Sequence, residues 1–318
     1  MTTFWLAPLH GITLYPFRNC LLRHTTEIKT AVTPFFPIQE TAKLNVKKWK
    51  DLWPENNAGW ELVPQLIGNK AADFVDTVHA LHEEFGYTRF NWNIGCPMQQ
   101  IVRKRRGCGL MPHPDLVEEV TAAVTSHTDC KFSIKMRLGL TDAAESAELI
   151  RRLNHYPLDF IVLHPRLGVQ QYEGVPDLEL FAERLGESRH EIIYSGDINT
   201  VADFQRLQQR FPMVHQWMLG RGILRNPFLA DEIVGTVSGE PANESQRKEK
   251  FLLYYDDLLN SLLEVRGEYG TLTNLKELWH YFAHFIHLSK DELQQLLRVT
   301  DCSTFFGKSK QHILNGNL

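Results

Sequence analysis

The residues best able to do chemistry lie in the stretch NIGCPMQQIVRKRRGCGLM, which begins at Asn93. Cys96 stands there between a glycine and a proline. A free thiol has a pKa of about 8.5, so it is mostly protonated at neutral pH and still gives up its proton readily. Four consecutive basic residues follow: Arg103, Lys104, Arg105 and Arg106. A thiol that can exchange a proton near neutral pH thus stands close to a cationic patch that a polyanion could contact.

Further polar side chains stand at the ends of short apolar runs that are typical of β-strands. They are Gln65, Asn93, Lys135, Arg137, His164 and Arg166. A single buried Gln or His is more often a satisfied core group than part of a site. Because such residues end one run after another, we interpret them as the lining of one shared site.

The last two runs end in Ser195-Gly196-Asp197 and in Gly220-Arg221. Glycine at these points lets backbone N–H groups approach a phosphate closely, although glycine can also simply end a strand. Lys135 and Gln65 would then face the other end of a phosphorylated cofactor. A lysine can stabilise an anionic reduced flavin by charge pairing, so FMN would suit this arrangement.

Eight β-rich runs alternate with mostly helical segments between Phe4 and Gly220. They are FWLAP, TAVTPFF, ELVPQLI, RFNWNIG, KFSIKMR, LDFIVLH, EIIYSG and HQWMLG. This alternation predicts a (β/α)8 TIM barrel, in which chemistry collects at the carboxyl ends of the strands. A doubly wound sheet is the alternative, but its GxGxxG phosphate turn is absent from the sequence.

The pattern changes after the polar stretch TVSGEPANESQRKEK, which we interpret as a linker. The segments beyond it have apolar residues at helical spacing, and no β-rich run reappears. We therefore expect a catalytic barrel over residues 1–239 and a small helical bundle over residues 240–318.

Composition limits the partners and the location. The formal net charge of the 318 residues is -4, so a polyanion would have to bind local basic patches. Five cysteines without a CxxC pair argue against a disulfide framework and a structural zinc site. The histidines of HYFAHFIH lack a neighbouring carboxylate or cysteine, so no metal is expected. With neither a secretion signal nor an apolar run of about 18 residues, the sequence predicts a cytoplasmic protein with no membrane contact.

The ordered motifs resemble those of the tRNA-dihydrouridine synthase family. They are LAPLHGITLYPFR, NWNIGCPMQQIVRKRRGCGLM, FSIKMRLG, LHPR, SGDI and LGRGILRNP, and they extend from Ala7 to Pro227. The resemblance implies an FMN-dependent barrel enzyme with a helical tRNA-binding domain. It also implies reduction of the C5–C6 double bond of a tRNA uridine to dihydrouridine.

The resemblance assigns roles residue by residue. Cys96 matches the catalytic cysteine, and Asn93 matches the asparagine that lies beside it at the substrate. The implied cofactor contacts are Ala7, Pro8, Leu9, Gln65, Lys135, His164, Ser195, Gly196, Asp197, Gly220 and Arg221. Four motifs depart from the family. It commonly has Asn where Ser195 stands and His-Gly-Arg-Thr where His164-Pro165-Arg166-Leu167 stands. It also often has a lysine pair at Gln99-Gln100 and Gly-Val-Thr-Asp at Gly11-Ile12-Thr13-Leu14. These departures affect the details of the cofactor contacts.

The expected reaction passes a hydride from reduced FMN to C6 of the uracil and a proton from Cys96 to C5, with NADPH or NADH reducing the flavin again. A monomer would leave the tRNA-binding face free. One alternative is an FMN barrel reductase of a small molecule, which leaves the basic run unexplained. The other is a catalytically silent RNA-binding barrel, against which Cys96, Lys135 and His164 argue.

Overall fold

The computed structural model of the chain describes residues 2–40, 43–238 and 244–316. One ten-stranded sheet, parallel at every pairing, dominates the described residues. Its strands are β1 (Thr3–Leu6), β2 (Ile28–Val32), β3 (Phe36–Pro37), β4 (Glu61–Val63), β5 (Gln65–Ile67), β6 (Arg89–Ile94), β7 (Lys131–Gly139), β8 (Leu158–Leu167), β9 (Ile192–Tyr194) and β10 (Gln216–Leu219).

The sheet closes into a barrel through β4 and β5, which are separated only by Pro64. β4 pairs with β2, and β5 pairs with β6, so the segment bridges the two ends of the strand order. β1 pairs with β10 and completes the ring on the other side. The prediction of a TIM barrel is confirmed.

Prolines explain why ten strands appear where eight runs were expected. TAVTPFF forms the end of β2 and the start of β3, with Pro34 between them, and ELVPQLI forms β4 and β5 around Pro64. Proline has no N–H to give to a strand ladder, so pairing stops at each one. The chain direction continues through both interruptions, and the barrel is preserved.

Helices follow most strands of the barrel. They are α1 (Tyr15–His24), α2 (Ala71–Phe85), α3 (Gln99–Val102), α4 (Pro114–His127), α5 (Ala144–Leu153), α6 (Leu178–Glu187), α7 (Val201–Arg210), α8 (Arg221–Arg225) and α9 (Leu229–Ser238). α6 was not predicted from the sequence. Its local signal is Asp177, whose carboxylate accepts the N–H of Leu180 at 2.9 Å and caps the helix.

The remaining helices are α10 (Glu244–Phe285), α11 (Lys290–Leu297) and α12 (Cys302–Asn315), here called the helical region. α10 breaks at Gly267, whose φ of 65° lies in the left-handed range that glycine tolerates. The predicted linker was wrong over 236–238 and 244–250, which are helical, and α12 was not predicted. The predicted boundary between residues 239 and 240 lies outside the described residues. No helix that the structure describes is long and apolar enough to cross a lipid bilayer.

The helical region docks on α1 through Asp257 of α10. Its carboxylate accepts two hydrogen bonds of 2.8 Å from Arg23, and His24 Nε2 lies 3.0 Å from it. Cys20 Sγ lies within 4.8 Å of the carboxylate and the imidazole, a grouping that could hold a metal ion. Because Arg23 occupies both carboxylate oxygens, we interpret the cluster as an ion-paired contact between barrel and helical region.

Candidate active site

A cavity of about 630 Å³ opens at the carboxyl ends of the strands. Its size lies within the usual range of small-molecule and cofactor sites. Twelve of the residues predicted for the site line it: Ala7, Pro8, Leu9, Asn93, Cys96, Lys135, His164, Ser195, Gly196, Asp197, Gly220 and Arg221. The structure therefore brings together residues that come from six different strand ends.

Gln65 was predicted to contact the cofactor, but it lies behind the cavity wall and is fully buried. Its Nε2 donates to Asn91 Oδ1 at 2.7 Å, and its Oε1 accepts from Asn93 Nδ2 at 2.8 Å. Asn91 in turn donates to Ser133 Oγ at 2.9 Å. This buried chain of hydrogen bonds orients Asn93, so Gln65 acts on the site at least through that side chain.

Asn93 holds the turn that carries the cysteine. Its Oδ1 accepts the backbone N–H of Gly95 at 3.1 Å and that of Cys96 at 2.9 Å. The side chain is only 8% exposed, so these bonds are shielded from water. The sequence predicted a substrate contact for Asn93, and the structure adds this positioning role.

The two glycines behind the basic run let the loop fold back on Cys96. The backbone N–H of Cys108 donates to the carbonyl of Cys96 at 2.9 Å. Gly107 has a φ of +55°, and a Cβ there would lie 2.7 Å from the Cys96 carbonyl oxygen. A Cβ on Gly109 would lie 2.5 Å from the Val102 carbonyl oxygen. Neither position can carry a side chain without moving the backbone around the thiol.

Burial raises the pKa of the Cys96 thiol above its ordinary value of 9.0. A backbone N–H from Met98 and the charges of Arg137 and Lys135 act in the opposite direction, and burial prevails. The thiol is therefore protonated at neutral pH and can serve as a proton donor rather than as a nucleophile.

Lys135 projects from β7 into the cavity, where its ammonium has no hydrogen-bond or ion-pair partner among the described residues. Burial, followed by the charge of Arg137, lowers its pKa to about 8. An unpartnered cation in a partly buried wall suits an anionic ligand. This is the charge that a reduced flavin ring would present.

Arg137 was noted at a strand end without a specific role, and it lines the cavity. Its guanidinium donates to the carbonyl of Gly95 at 3.0 Å, to that of Leu167 at 3.0 Å and to that of Gln171 at 2.6 Å. It therefore ties the cysteine loop to the loop after β8. The second cation of the motif KMRLG was the signal available in the sequence.

Two arginines neutralise Asp197 at the end of the cavity where the sequence predicts a phosphate. Arg166, which is 1% exposed, donates to both carboxylate oxygens, and Arg221 donates to one of them. Burial acts to raise the pKa of Asp197, but these arginines hold it below its ordinary value. The carboxylate thus orients Arg221 at the cavity, and we expect the guanidinium rather than Asp197 to meet a phosphate.

His164 is a neutral donor at the centre of this wall. Arg166 Nη1 lies 3.1 Å from His164 Nε2, and because a guanidinium can only donate, Nε2 must accept. Burial, followed by the charges of Arg137 and Lys135, lowers the pKa of His164 well below its ordinary value. The ring therefore carries its single proton on Nδ1.

Glycine is required at position 196 by packing, because a Cβ there would lie 2.3 Å from the Tyr194 hydroxyl. Ser195, beside it, is 9% exposed, and its hydroxyl has no hydrogen-bond partner within the described ranges. Together with Arg221 and Lys135, this donor set suits a ligand with a phosphate at one end and an anionic ring at the other. The residues present are compatible with FMN.

The basic run lies on the surface immediately after Cys96. Arg103, Lys104 and Arg105 are exposed, Arg106 is half-buried, and none forms an ion pair within the described part of the chain. Asn69 Nδ2 donates to the carbonyls of Lys104 and Arg105 at 3.1 Å each and holds this loop in place. The cationic side chains remain free to meet an external anion.

Two residues of the helical region reach the cavity, and the sequence gave no signal for them. Glu277 and Tyr281 of α10 line its wall. Tyr172, in the loop after β8, lies between the guanidiniums of Arg137 and Arg221, which are 5.3 and 5.1 Å from its ring centroid. The mouth of the cavity is therefore built from both parts of the molecule.

Comparison with known proteins agrees with this geometry. A model of the dihydrouridine synthase (Dus) family matches residues 5–304. A probable tRNA-dihydrouridine synthase of Rhodobacter capsulatus is 26% identical over 263 residues, which are 82% of this chain and 80% of the relative. A tRNA-dihydrouridine(16) synthase of Cupriavidus necator is 25% identical over 94% of this chain and 95% of its own.

Solved structures support the fold alone. Histamine dehydrogenase from Rhizobium sp. 4-9 superposes with a TM-score of 0.54 at 13% identity, over 74% of this chain and 45% of that one. The family match, by contrast, covers nearly the whole sequence and includes every motif that lines the cavity. The chain belongs to the dihydrouridine synthase family.

Proposed function

We propose that this protein is an FMN-dependent tRNA-dihydrouridine synthase that reduces the C5–C6 double bond of a uridine in tRNA. The observation that carries the proposal is the protonated thiol of Cys96 on the same cavity wall as the unpartnered ammonium of Lys135. An acid beside a cationic flavin site is what reduction of a conjugated double bond requires.

FMN suits the cavity in both charge and shape. Arg221 and the glycine turns at Gly196 and Gly220 would hold the phosphate, while Ala7 and Pro8 would lie against the ring. Lys135 would pair with the anionic part of the ring. When bound and reduced, FMN supplies the hydride that adds to C6. NADPH or NADH is the proposed source of those electrons.

The side chains of this protein would supply the remaining chemistry. Cys96 would hold its proton at Sγ and give it to C5, on the opposite face of the uracil from the hydride. Charge develops on the uracil O4 as the hydride adds, so donors are needed there. Nδ1–H of His164 and the Arg137 guanidinium line the same cavity and could provide them.

tRNA is the proposed partner because the exposed basic run, Arg103–Arg106, adjoins the cysteine loop. Its charges would bind phosphates locally, although the protein as a whole is acidic. A small-molecule reductase would need no such surface. The helical region, which reaches the cavity through Glu277, is proposed as the tRNA-binding domain. A cytoplasmic location and a monomeric state remain predictions.

Mass spectrometry of nucleosides tests the proposal most directly. Unmodified tRNA is incubated with FMN, NADPH and wild-type protein, Cys96→Ala or Cys130→Ala. Cys130 is a half-buried cysteine outside the cavity and provides the matched control. We expect a uridine that gains two hydrogens with wild type and Cys130→Ala, and far less product with Cys96→Ala.

The same preparations also define the results that would contradict the proposal. If flavin-loaded protein produces no dihydrouridine in any tRNA, the tRNA assignment is wrong. Reoxidation of the flavin by small unsaturated carbonyl compounds would then point to a small-molecule reductase. Equal product from Cys96→Ala and wild type would remove Cys96 as the acid while leaving the activity intact.

A further inference from the structure

The wall that α10 adds to the cavity differs in chemistry from the rest. Glu277 and Tyr281 are four residues apart, so they lie on the same face of the helix. Tyr281 is half-buried, and burial raises its pKa, while the charges of Arg221 and Glu277 act on it in opposite directions. The face of α10 that carries Glu277 therefore forms part of the cavity wall near Arg221.

Glu277 is an exposed carboxylate without a hydrogen-bond or ion-pair partner in the part of the chain that the structure describes. Asp197 also lines the cavity, but Arg166 and Arg221 neutralise it. An unpaired negative charge at this position repels the phosphates of an approaching RNA. A role in phosphate binding is excluded, and its presence at the mouth needs another explanation.

A carboxylate can only accept hydrogen bonds, and RNA offers it two kinds of donor, the N–H groups of the bases and the 2′-hydroxyls of the riboses. Only the base N–H groups vary with the sequence, so only they would make Glu277 a determinant of specificity. The cations of the cavity, Lys135, Arg137 and Arg221, can only donate. They match the carbonyl oxygens of a base but not its N–H. Asn93 could accept, yet its oxygen already receives two backbone N–H groups. Glu277 is a charged acceptor that complements these donors.

We propose that Glu277 is a specificity-determining residue that accepts a hydrogen bond from an N–H group on the Watson–Crick edge of an RNA base at the cavity mouth. The donor is either N3–H of the target uracil or an N–H of the base beside it. The proposal rests on the proposed function, since it requires RNA at this mouth. It gives the helical region a part in choosing the substrate as well as in binding it.

The test asks whether substitution of Glu277 lowers kcat/KM or instead strengthens tRNA binding. Steady-state kcat/KM and tRNA dissociation constants are measured for wild type, Glu277→Gln, Glu277→Ala and Glu268→Gln. Glu268 is an exposed carboxylate on the same helix that does not line the cavity, so its substitution removes the same charge elsewhere. Loss of a hydrogen bond to a charged group should lower kcat/KM of Glu277→Ala about ten- to a hundredfold.

Glu277→Gln keeps a carbonyl acceptor and should lose less activity than Glu277→Ala, while Glu268→Gln should match wild type or bind tRNA slightly more tightly. If both Glu277 variants bind tRNA more tightly and keep the wild-type kcat/KM, Glu277 is only a repelling surface charge and the inference is wrong. If wild type itself forms no dihydrouridine in this assay, it is the proposed function that has failed.

Transcripts that differ in the bases flanking the modified uridine distinguish the two donors. If a flanking base is recognised, wild type will discriminate among the transcripts and Glu277→Gln will not. If the target uracil is recognised, the ratio of wild-type to Glu277→Gln activity will be the same on every transcript. Loss of discrimination in Glu277→Gln supports a contact with a flanking base, whereas a uniform ratio excludes that contact and leaves only the target nucleotide.

Discussion

The two ends of the cavity differ in whether their charged groups are paired. At the end of the cavity where a phosphate is predicted, Asp197 is bonded to Arg166 and Arg221. At the reactive end, Lys135 has no such partner and Cys96 keeps its proton. Paired charges hold geometry, whereas unpaired groups are left available to a ligand. We propose that the first end holds the cofactor in place and that the chemistry takes place at the second.

The largest effect should come from breaking the reactive end at Cys96. Loss of a positioned general acid lowers rates by about 10²–10⁴-fold, so Cys96→Ser and Cys96→Ala should lose that much dihydrouridine formation. FMN affinity should be unchanged because the phosphate end is untouched. Single-turnover assays with pre-reduced protein measure the step. Equal losses in FMN affinity and in rate would instead mean that Cys96 supports the fold of the site.

Replacing Asp197 should lower both the stability of the fold and the affinity for FMN. Removing one partner from a buried ion pair costs about 3–5 kcal/mol, because the other charge is left buried and unpaired. In Asp197→Ala the guanidinium of Arg166, which is 1% exposed, would be left buried without its carboxylate. Thermal unfolding and FMN titration measure both effects, with Glu191→Ala, at an exposed position just before β9, as the control. If Asp197→Ala leaves both the unfolding temperature and the FMN affinity unchanged, the ion pairs of Asp197 do not have this role.

The pH dependence of FMN affinity should sharpen the contrast between the two ends. Without a ligand the pKa of Lys135 is about 8, and an anionic ring would favour its charged form. Binding should therefore take up a proton above that pH, and the affinity should fall as the pH rises from 8 to 10. Anaerobic calorimetry with reduced FMN, the form whose ring is anionic, measures the uptake in buffers of different ionisation enthalpy. Lys135→Gln should abolish it, whereas proton uptake by that variant would assign the titration to another group.

The smallest effect should come from the contact between barrel and helical region at Asp257. Burial acts to raise the pKa of Asp257, but the hydrogen bonds from Arg23 and His24 keep it below its ordinary value of 3.8. A folded-state pKa that is depressed stabilises the fold above the unfolded pKa, and this stability is lost as the pH falls through the folded value. Asp257→Asn should therefore flatten the loss of stability below pH 4, by about 1 kcal/mol or less, since the pair is partly exposed. Urea unfolding at pH 7 and pH 3 provides the measurement.

Much of the architecture could be predicted from local sequence. The eight β-rich runs, most of the intervening helices and the family resemblance are confirmed, because alternation and helical spacing are properties of neighbouring residues. The errors were local as well. Two prolines divided strands, and α6 was missed although its apolar residues follow helical spacing. The supposed linker was helical over most of its described residues because charged residues also form helices.

By itself the sequence determined which side chains stand at strand ends, and parallel strands in a barrel necessarily bring those ends to one mouth. That is why Cys96, Lys135 and His164 could be assigned to one site in advance. Only the tertiary structure decided what each of them touches. The pairing of Asp197 with Arg166, the place of Gln65 behind the wall and the arrival of Glu277 from α10 all join residues that are distant in the chain. Such contacts depend on how the barrel closes and on where the helical region docks, and no spacing within the sequence records either.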